Sequence, residues 1–213
     1  MGRAKEIIIK VIPAKIAVPF VKKHHYSGKV VQNSSLHLGA FLDGNLHGVM
    51  QFGASMSKDK IIGLVEGTKW NEFIELNRMA FDDYLPRNAE SYCISKAIKL
   101  IKKNAPQIKW IISYADGCSC GDGTIYRASN FCLVGATKNS TIWEFPTGDD
   151  IADMTMVAHW DCPIMKKQCE YFGIEHKRYT KAQWKRIGGA KSKPKKAICL
   201  NTSTLLINPA RIN

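Results

Sequence analysis

Leu76–Lys103 reads LNRMAFDDYLPRNAESYCISKAIKLIKK, and this stretch decides the fold class. It predicts a strand, a short polar turn and then a helix. Ile94, Ala97, Ile98 and Ile101 recur at the i, i+3, i+4, i+7 spacing of one helical face. Pro86 stands just before the helix and Asn88 is placed as its N-cap, while Lys102 and Lys103 sit at the negative end of the dipole. The first-turn N–H groups, near Arg87 to Ser91, have no partners inside a helix, so with Arg87 and Asn88 beside them they form a candidate anion site. The plainer reading is an ordinary strand–helix crossover with a solvated arginine.

Working outward, Glu6–Ile12 (EIIIKVI) is a β-branched strand closed by Pro13. Ala14–Tyr26 is helical, with Pro19 expected to split or kink it. Ser35–Asp43 and Leu46–Gly53 form a hairpin about Asp43-Gly44-Asn45. Ser55–Thr68 is a Gly- and Lys-containing connection. Lys109–Tyr114 (KWIISY) is a continuous apolar run, as in a strand buried on both faces. The loop Ala115–Gly123 (ADGCSCGDG), a short helix Thr124–Asn130 and strands at Phe131–Thr137 and Thr141–Phe145 follow, then an acidic loop at Asp149–Asp153. Ala197–Ile207 is a candidate last strand. This order specifies an α/β sandwich around a mixed, mostly antiparallel sheet with one parallel crossover.

The chain has 213 residues, 45% of them hydrophobic, which is enough for a real core and excludes a disordered chain. No apolar run approaches the ~20 residues of a membrane span. The start MGRAKE lacks the apolar core of a secretory leader, and Glu6 stands where myristoylation favours Ser or Thr. Seven scattered cysteines suit free thiols in a reducing cytoplasm. The net charge of +13 favours a polyanionic partner, nucleic acid ahead of membrane. Lys22-Lys23 and the stretch from Lys166 carry the positive charge. Lys177, Arg178, Lys181, Lys185 and Arg186 interleave there with Tyr179 and Trp184, a pattern suited to gripping phosphates while aromatic rings stack on bases. The plainer reading is a solvated basic tail.

The strand order, with Tyr126-Arg127-Ala128-Ser129-Asn130-Phe131 ending the short helix, resembles the GNAT acyltransferases. In that family the sheet splays between its fourth and fifth strands and an acyl donor lies in the gap. The donor's pyrophosphate rests on the following helix. Asn130 replaces the usual glycine, and asparagine also tolerates a left-handed cap. The loop Leu85–Glu90 lacks the family's glycines. A resemblance covering more of the chain is carried by HHYSG (24–28), LNRMAFDDYLPRNAES (76–91), SYADG (113–117) and GDGTIYRAS (121–129): these segments are similar to the Mom family of phage DNA-modification proteins. The resemblance implies a GNAT-like enzyme, an N-acyltransferase that converts adenine in phage double-stranded DNA to its N6-carbamoylmethyl form inside the bacterial host, protecting it from restriction. It also implies an iron near His25, Tyr26 and Asp116, and donor-side or catalytic positions at Arg78, Ser91 and Tyr126. On that reading residues 1–165 are the catalytic domain and 166–213 a basic, aromatic-containing extension packed on it or continuing it.

The residues themselves keep alternatives open. His25 is either a metal ligand or a surface histidine at a helix end, and Asp116 either a ligand or the base for the adenine amine. Arg78 either meets the donor or pairs with Glu75, Asp82 or Glu90. Tyr126 either protonates a leaving group or is a half-buried core aromatic, and Ser91 either acts or caps its helix. Cys118 and Cys120 are too close together for a usual zinc pair, and His37 and His47 decorate the hairpin. Trp70, Trp160, Trp184 and Tyr179 are candidate stacking residues. Because a carbamoylmethyl group joins nitrogen through a CH₂, the donor is expected to supply a glycine-sized unit that first acylates and then rearranges, with iron as a candidate helper. The activated donor is left between glycyl-tRNA, which makes tRNA a partner, and an acyl-CoA. The oligomeric state is left open, a homodimer included. Competing readings are an ordinary GNAT N-acetyltransferase acting on a protein or small amine, and a non-catalytic basic DNA-binding protein.

Overall fold

The computed structural model describes residues 2–55, 58–116, 123–137, 142–188, 191–192 and 202–207, with the side chains at 60, 116, 135–137, 154–155, 191–192 and 202–207 left outside the description. The readings placed on Cys118 and Cys120 therefore fall outside it. After a 3-10 turn at Arg3–Glu6 come β1 (Ile8–Val11), α1 (Ala14–His24), β2 (Ser34–Leu42), β3 (Asn45–Gly53), α2 (Lys58–Ile61), β4 (Phe73–Phe81), α3 (Ala89–Asn104), β5 (Trp110–Asp116), α4 (Thr124–Ala128) and β6 (Cys132–Thr137). Then follow β7 (Ile142–Glu144), β8 (Asp150–Ala152), α5 (Asp153–Ala158), α6 (Pro163–Tyr171), α7 (Lys181–Ile187), β9 (Lys191–Ser192) and β10 (Thr202–Ile207). No helix among the described residues is long and apolar enough to cross a membrane. The chain divides into two compact units, one running to Ala136 and taking in β10, the other Thr137–Asn201.

The first unit is built on a sheet in the order β1-β2-β3-β4-β5-β10-β6. β1/β2, β2/β3, β3/β4 and β5/β10 pair antiparallel, and β4/β5 pair parallel. The predicted stripe of α3 is what meets the sheet: Ile94, Ala97, Ile98 and Ile101, with Cys93, pack on Leu38, Met50, Phe52, Leu76 and Ile111. Each of the buried isoleucines contributes about 1.5–3 kcal/mol. On the other face Ala17 and Val21 of α1 pack on Val49 and Ala80. The expected interruption at Pro19 does not divide α1, which runs through from Ala14 to His24. Proline there removes one backbone donor, and the buried Ala17 and Val21 hold the helix to the sheet across that loss. The hairpin turn is the two-residue Asp43-Gly44, with φ of 52° and 81°, so Asn45 already belongs to β3. Asn88 departs from its expected role: its backbone is left-handed (φ 65°) and its side chain makes no capping bond. The Ser91 hydroxyl instead donates to the Asn88 carbonyl at 3.1 Å. Asn130 does adopt the left-handed conformation expected of it, at φ 63°.

The decisive feature is where the parallel ladder ends. β4 and β5 pair only at Phe73↔Trp110, Ile74↔Ile111 and Glu75↔Ile112. One further tie, from the buried Ser113 hydroxyl to the Leu76 carbonyl at 3.3 Å, spans the fork. Beyond it β4 stays with β3 as far as Phe81, while β5 runs with β10 as far as Asp116. On β4 the register with β3 skips Asn77, because Gln51 faces Arg78 and Phe52 faces Leu76. A bulge at that point turns the strand and re-aims its side chains.

The second unit has a three-stranded sheet, β8-β7-β9, and a core of its own in which Trp143, Phe145, Met156, Met165, Tyr179 and Trp184 meet. Trp184 is 1% exposed and lies edge-on to Phe145 and Tyr179, with ring centroids 5.5 and 5.2 Å away. The expectation that Tyr179 and Trp184 present faces to bases is therefore corrected: the aromatics among the basic residues are the apolar stripe of a small core. α7 opens with a Thr180–Gln183 capping box and ends at Gly188 (φ 82°), so its basic residues lie on a well-bounded helix. Lys166, where the composition turns basic, lies within α6.

Candidate active-site cleft

The fork opens into a cleft of about 500 Å³, the size of a small-ligand site. Its walls come from separate parts of the first unit: Arg78 from β4, Tyr114 from β5, His25 and Tyr26 after α1, Glu90 from α3 and Tyr126 from α4. The sequence-predicted His25, Tyr26, Arg78 and Tyr126 are thus brought together. Arg87 and Asn88 are exposed on the turn before α3, and neither they nor Ser91 line this cleft. The backbone of Asp116 closes β5, next to the cleft-lining Ala115.

Arg78 is tethered by the backbone. Its Nε donates to the Lys29 carbonyl at 3.2 Å and its Nη1 to the Asn77 carbonyl at 2.7 Å. Among the described residues it makes no ion pair with the carboxylates at 75, 82 or 90; Asp82 is engaged with His47 at 2.9 Å instead. The tether ties the segment after α1 to the β4 bulge and leaves the remaining guanidinium N–H groups for a ligand.

His25 is half-buried. Its Nδ1 accepts the Ser27 backbone N–H at 3.1 Å and lies 2.8 Å from the Ser27 hydroxyl. Burial first, and then the Arg78 charge, push its pKa from 6.5 down to about 4, so the ring is neutral near pH 7. Tyr26 stands beside it, ring centroids 4.2 Å apart. Tyr126 is half-buried against Phe131, ring centroids 5.4 Å apart, so it is both a packing aromatic and a cleft wall. Sequence reasoning missed Tyr114, Glu90 and Asn77. The Tyr114 phenol is pushed above its ordinary pKa by burial and then by Glu75, against a lowering hydrogen bond from Ser55. Asn77 is 5% exposed and its Oδ1 accepts from the Ser34 hydroxyl at 3.1 Å, while its Nδ2 has no partner among the described residues. An uncharged amide between Leu76 and Arg78 on a strand was the available signal for it.

Of the iron set implied at His25, Tyr26 and Asp116, the first two line the cleft side by side, and the Asp116 side chain lies outside the described residues. Ser27 engages His25 Nδ1, so Nε2 is the ring nitrogen that would meet a metal. The neighbouring Arg78 charge opposes a second cation at the same place. Among the described residues no group of three His, Cys, Asp or Glu side chains is placed to hold a metal.

The basic positions differ in how occupied they are. Lys177 pairs with Glu175 at 2.7 Å, Lys181 pairs with Asp153, and Lys185 lies over the Trp143 ring at 6.0 Å. Lys22, Lys23, Arg178 and Arg186 are exposed and make no ion pair among the described residues.

Solved structures similar to this chain are acetyltransferases. One is a Bacillus subtilis acetyltransferase in complex with CoA, at a TM-score of 0.51 and 10% identity over 95% of this chain and 98% of that one. Another is the spermidine N-acetyltransferase of Vibrio cholerae in complex with CoA and spermine, at 0.51 and 6% identity over 98% of each chain. At such identities the likeness establishes the fold, that of the GNAT acetyltransferases. In sequence the chain is 37% identical over 155 residues, 73% of its length, to the methylcarbamoylase Mom of Escherichia phage Mu, and it spans 64% of that relative's length. The pattern of the Mom protein family matches residues 6–188, and with the forked sheet and its cleft in place the chain belongs to the Mom protein family.

Proposed function

We propose that this chain is a phage DNA-modification enzyme, acting inside the bacterial host, that converts adenine in double-stranded DNA to N6-carbamoylmethyladenine and so shields the DNA from restriction. The observation that carries the reading is the fork after Glu75 and Ile112, which gathers His25, Tyr26, Arg78 and Tyr126 in one cleft. Adenine N6 is paired inside the duplex, so the base is extruded to react. Lys22, Lys23, Arg178 and Arg186 hold phosphates, with Lys177, Lys181 and Lys185 as further contacts.

The chemistry follows from the product. The added group is glycine less water. In a first step N6 attacks the carbonyl of an activated glycyl ester or thioester. A C–N bond forms, Asp116 takes the amine proton, and the alcohol or thiol leaves with a proton from Tyr126. In a second step the glycyl amine attacks C6 through a five-membered ring and the original C6–N6 bond breaks. The glycine nitrogen is then on the purine and the old N6 has become the carboxamide, with one proton moved between the two nitrogens. The balance needs no oxidant or reductant. The free N–H groups of Arg78 stabilise the developing oxyanion. The donor is an acyl-CoA or glycyl-tRNA. The CoA-bound acetyltransferases of like fold support the first, and the overall positive charge supports the second. Arg87, Asn88 and Ser91, around the start of α3, receive its phosphate-bearing portion.

The test is mass spectrometry of nucleosides from cells expressing the protein and fed ¹⁵N-glycine. The expected result is a carbamoylmethyl gain on deoxyadenosine, with the label on the purine-bound nitrogen, lost in Asp116→Ala and cut at least tenfold in Tyr126→Phe. Unmodified deoxyadenosine, or an acetyl gain in its place, overturns the proposal.

A further inference from the structure

The stripe that docks α3 on the sheet starts with a residue that does not belong in a core. Ile94, Ala97, Ile98 and Ile101 face the sheet, and Glu90, four residues before Ile94, falls on the same line one turn nearer the fork. Apolar side chains are the rule on such a line. An acid in the first turn is favoured by the helix dipole, but a first-turn position facing solvent serves that purpose equally well. The Glu90 side chain is instead partly buried and forms part of the cleft wall. Among the described residues its carboxylate takes no hydrogen bond and no ion pair. Its charge is felt inward: burial first, and then Glu90, push the thiol of the buried Cys93 up to about 12.

Arg78 enters the same cleft from β4 and is not paired with Glu90. Among the described residues of the wall these are the acid and the base that stay fully charged near neutral pH, held apart rather than neutralising each other. Such a pair suits a ligand that offers an oxygen on its way to an oxyanion and, close by, a cation. A glycyl unit is that ligand. Its carbonyl oxygen becomes the oxyanion, and its α-amine, one carbon away, is largely an ammonium near pH 7. An acetyl unit is smaller by one heavy atom and has no cation. A partly buried carboxylate that acetyl leaves unpaired discriminates by the amine, where volume alone discriminates weakly.

We propose that Glu90 is the donor-selecting residue of the cleft: its carboxylate holds the α-ammonium of a glycyl donor while Arg78 meets the carbonyl oxygen. The donor is then an α-aminoacyl group with its amine free, whichever carrier brings it. The same contact keeps the amine beside the newly formed amide, where it attacks C6 in the second step. This assignment rests on the reading of the cleft as a glycyl-transfer site.

The experiment uses the full chain and two pairs of unreactive probes, each pair differing by the amine alone. One pair is tRNA ending in a 3′-glycylamino or a 3′-acetylamino group; the other is S-(2-aminoethyl)-CoA and S-ethyl-CoA. Binding is measured by calorimetry. In the carrier that binds, the amine-bearing probe is expected to bind roughly 10- to 100-fold more tightly than its partner. In Glu90→Gln that ratio falls below about threefold, with the amine-free probe bound at least as well as by the parent, and Glu90→Asp recovers part of the ratio. The ratio is the readout because a lost negative charge strengthens both members of a polyanionic pair alike, and because a general structural defect weakens both. Equal affinity within both pairs overturns the assignment, as does failure of all four probes to bind, and neither arm requires a variant to fold. An undiminished ratio in Glu90→Gln overturns it as well. Nucleoside mass spectrometry keeps the two readings apart. Carbamoylmethyl gain on deoxyadenosine that is equal in parent and Glu90→Gln removes only the role of Glu90. No gain in the parent removes the glycyl-transfer reading, while the probe ratio still reports whether the cleft selects an amine.

Discussion

Replacing Trp184 with alanine separates a core aromatic from a base-stacking one. Trp184 is the hub of the second core, 1% exposed and ringed by Phe145, Tyr179 and Phe172 at 5.5, 5.2 and 6.4 Å between centroids. Removing a fully buried indole costs about 3–5 kcal/mol, the transfer free energy plus the cavity. The unit that contains it, Thr137–Asn201, has roughly 65 residues. At about 0.05–0.15 kcal/mol per residue its whole stability is about 3–10 kcal/mol. Trp184→Ala therefore takes between a third and all of it, and Trp184→Phe on the order of 1–2 kcal/mol. Limited proteolysis and amide hydrogen exchange read this directly. New cleavage and lost protection within Thr137–Asn201 are expected in the alanine variant, with the α3 amides of the first unit still protected. If that unit kept its protection and its urea midpoint while DNA affinity dropped fivefold or more, the indole would be a stacking face and the packing argument wrong.

Arg178 and Arg186 make no ion pair among the described residues, whereas Lys181 holds Asp153. The Arg178→Ala, Arg186→Ala double variant is expected to flatten the log–log salt dependence of duplex binding by about 2, near 0.9 per lost phosphate contact, and Lys181→Ala by less than half a unit. Identical slopes in parent and double variant, measured by anisotropy at several salt concentrations, would remove these arginines from the interface. For His25 the folded pKa of about 4 lies below the ordinary 6.5, so between those values the unfolded chain binds the extra proton. Its contribution is complete above pH 6.5 and is lost as pH falls toward 4. The full shift corresponds to about 3.4 kcal/mol, which partial exposure beside Arg78 reduces to about 1–2 kcal/mol. Urea midpoints at pH 7.5 and pH 4.5 should therefore diverge more in the parent than in His25→Gln; parallel behaviour of the two would contradict the buried neutral ring.

The local pattern was enough for the elements that carry the architecture. The 3.6-residue spacing of Ile94, Ala97, Ile98 and Ile101 is satisfied within about two turns of chain, and those residues are on the face that α3 buries. Asp43-Gly44 forms a two-residue turn wherever both residues can take positive φ, and it does so here. The motifs around His25, Arg78 and Tyr126 marked residues that do meet in one cleft.

Other features belong to long-range packing and leave no trace in a local window. A strand's alternation says which side chains are buried, not where its ladder to a distant neighbour stops, so the end of the β4/β5 pairing at Glu75 and Ile112 is set by packing across the sheet. β10 reaches β5 only after the whole second unit has been threaded between β6 and β10, a pairing fixed by the tertiary fold. Trp184 reads identically as a core residue or a stacking face until its neighbours converge on it. The polarity of His25 is likewise undecided in sequence. A histidine can be ligand, acid or donor, and it is the turn closed by the Gly28 N–H on the His25 carbonyl at 2.8 Å that brings Ser27 against Nδ1 and leaves Nε2 as the other ring nitrogen. Sequence supplies residue types and local periodicity; which lone pair is occupied and which strand edge is left open depend on distances between atoms far apart along the chain.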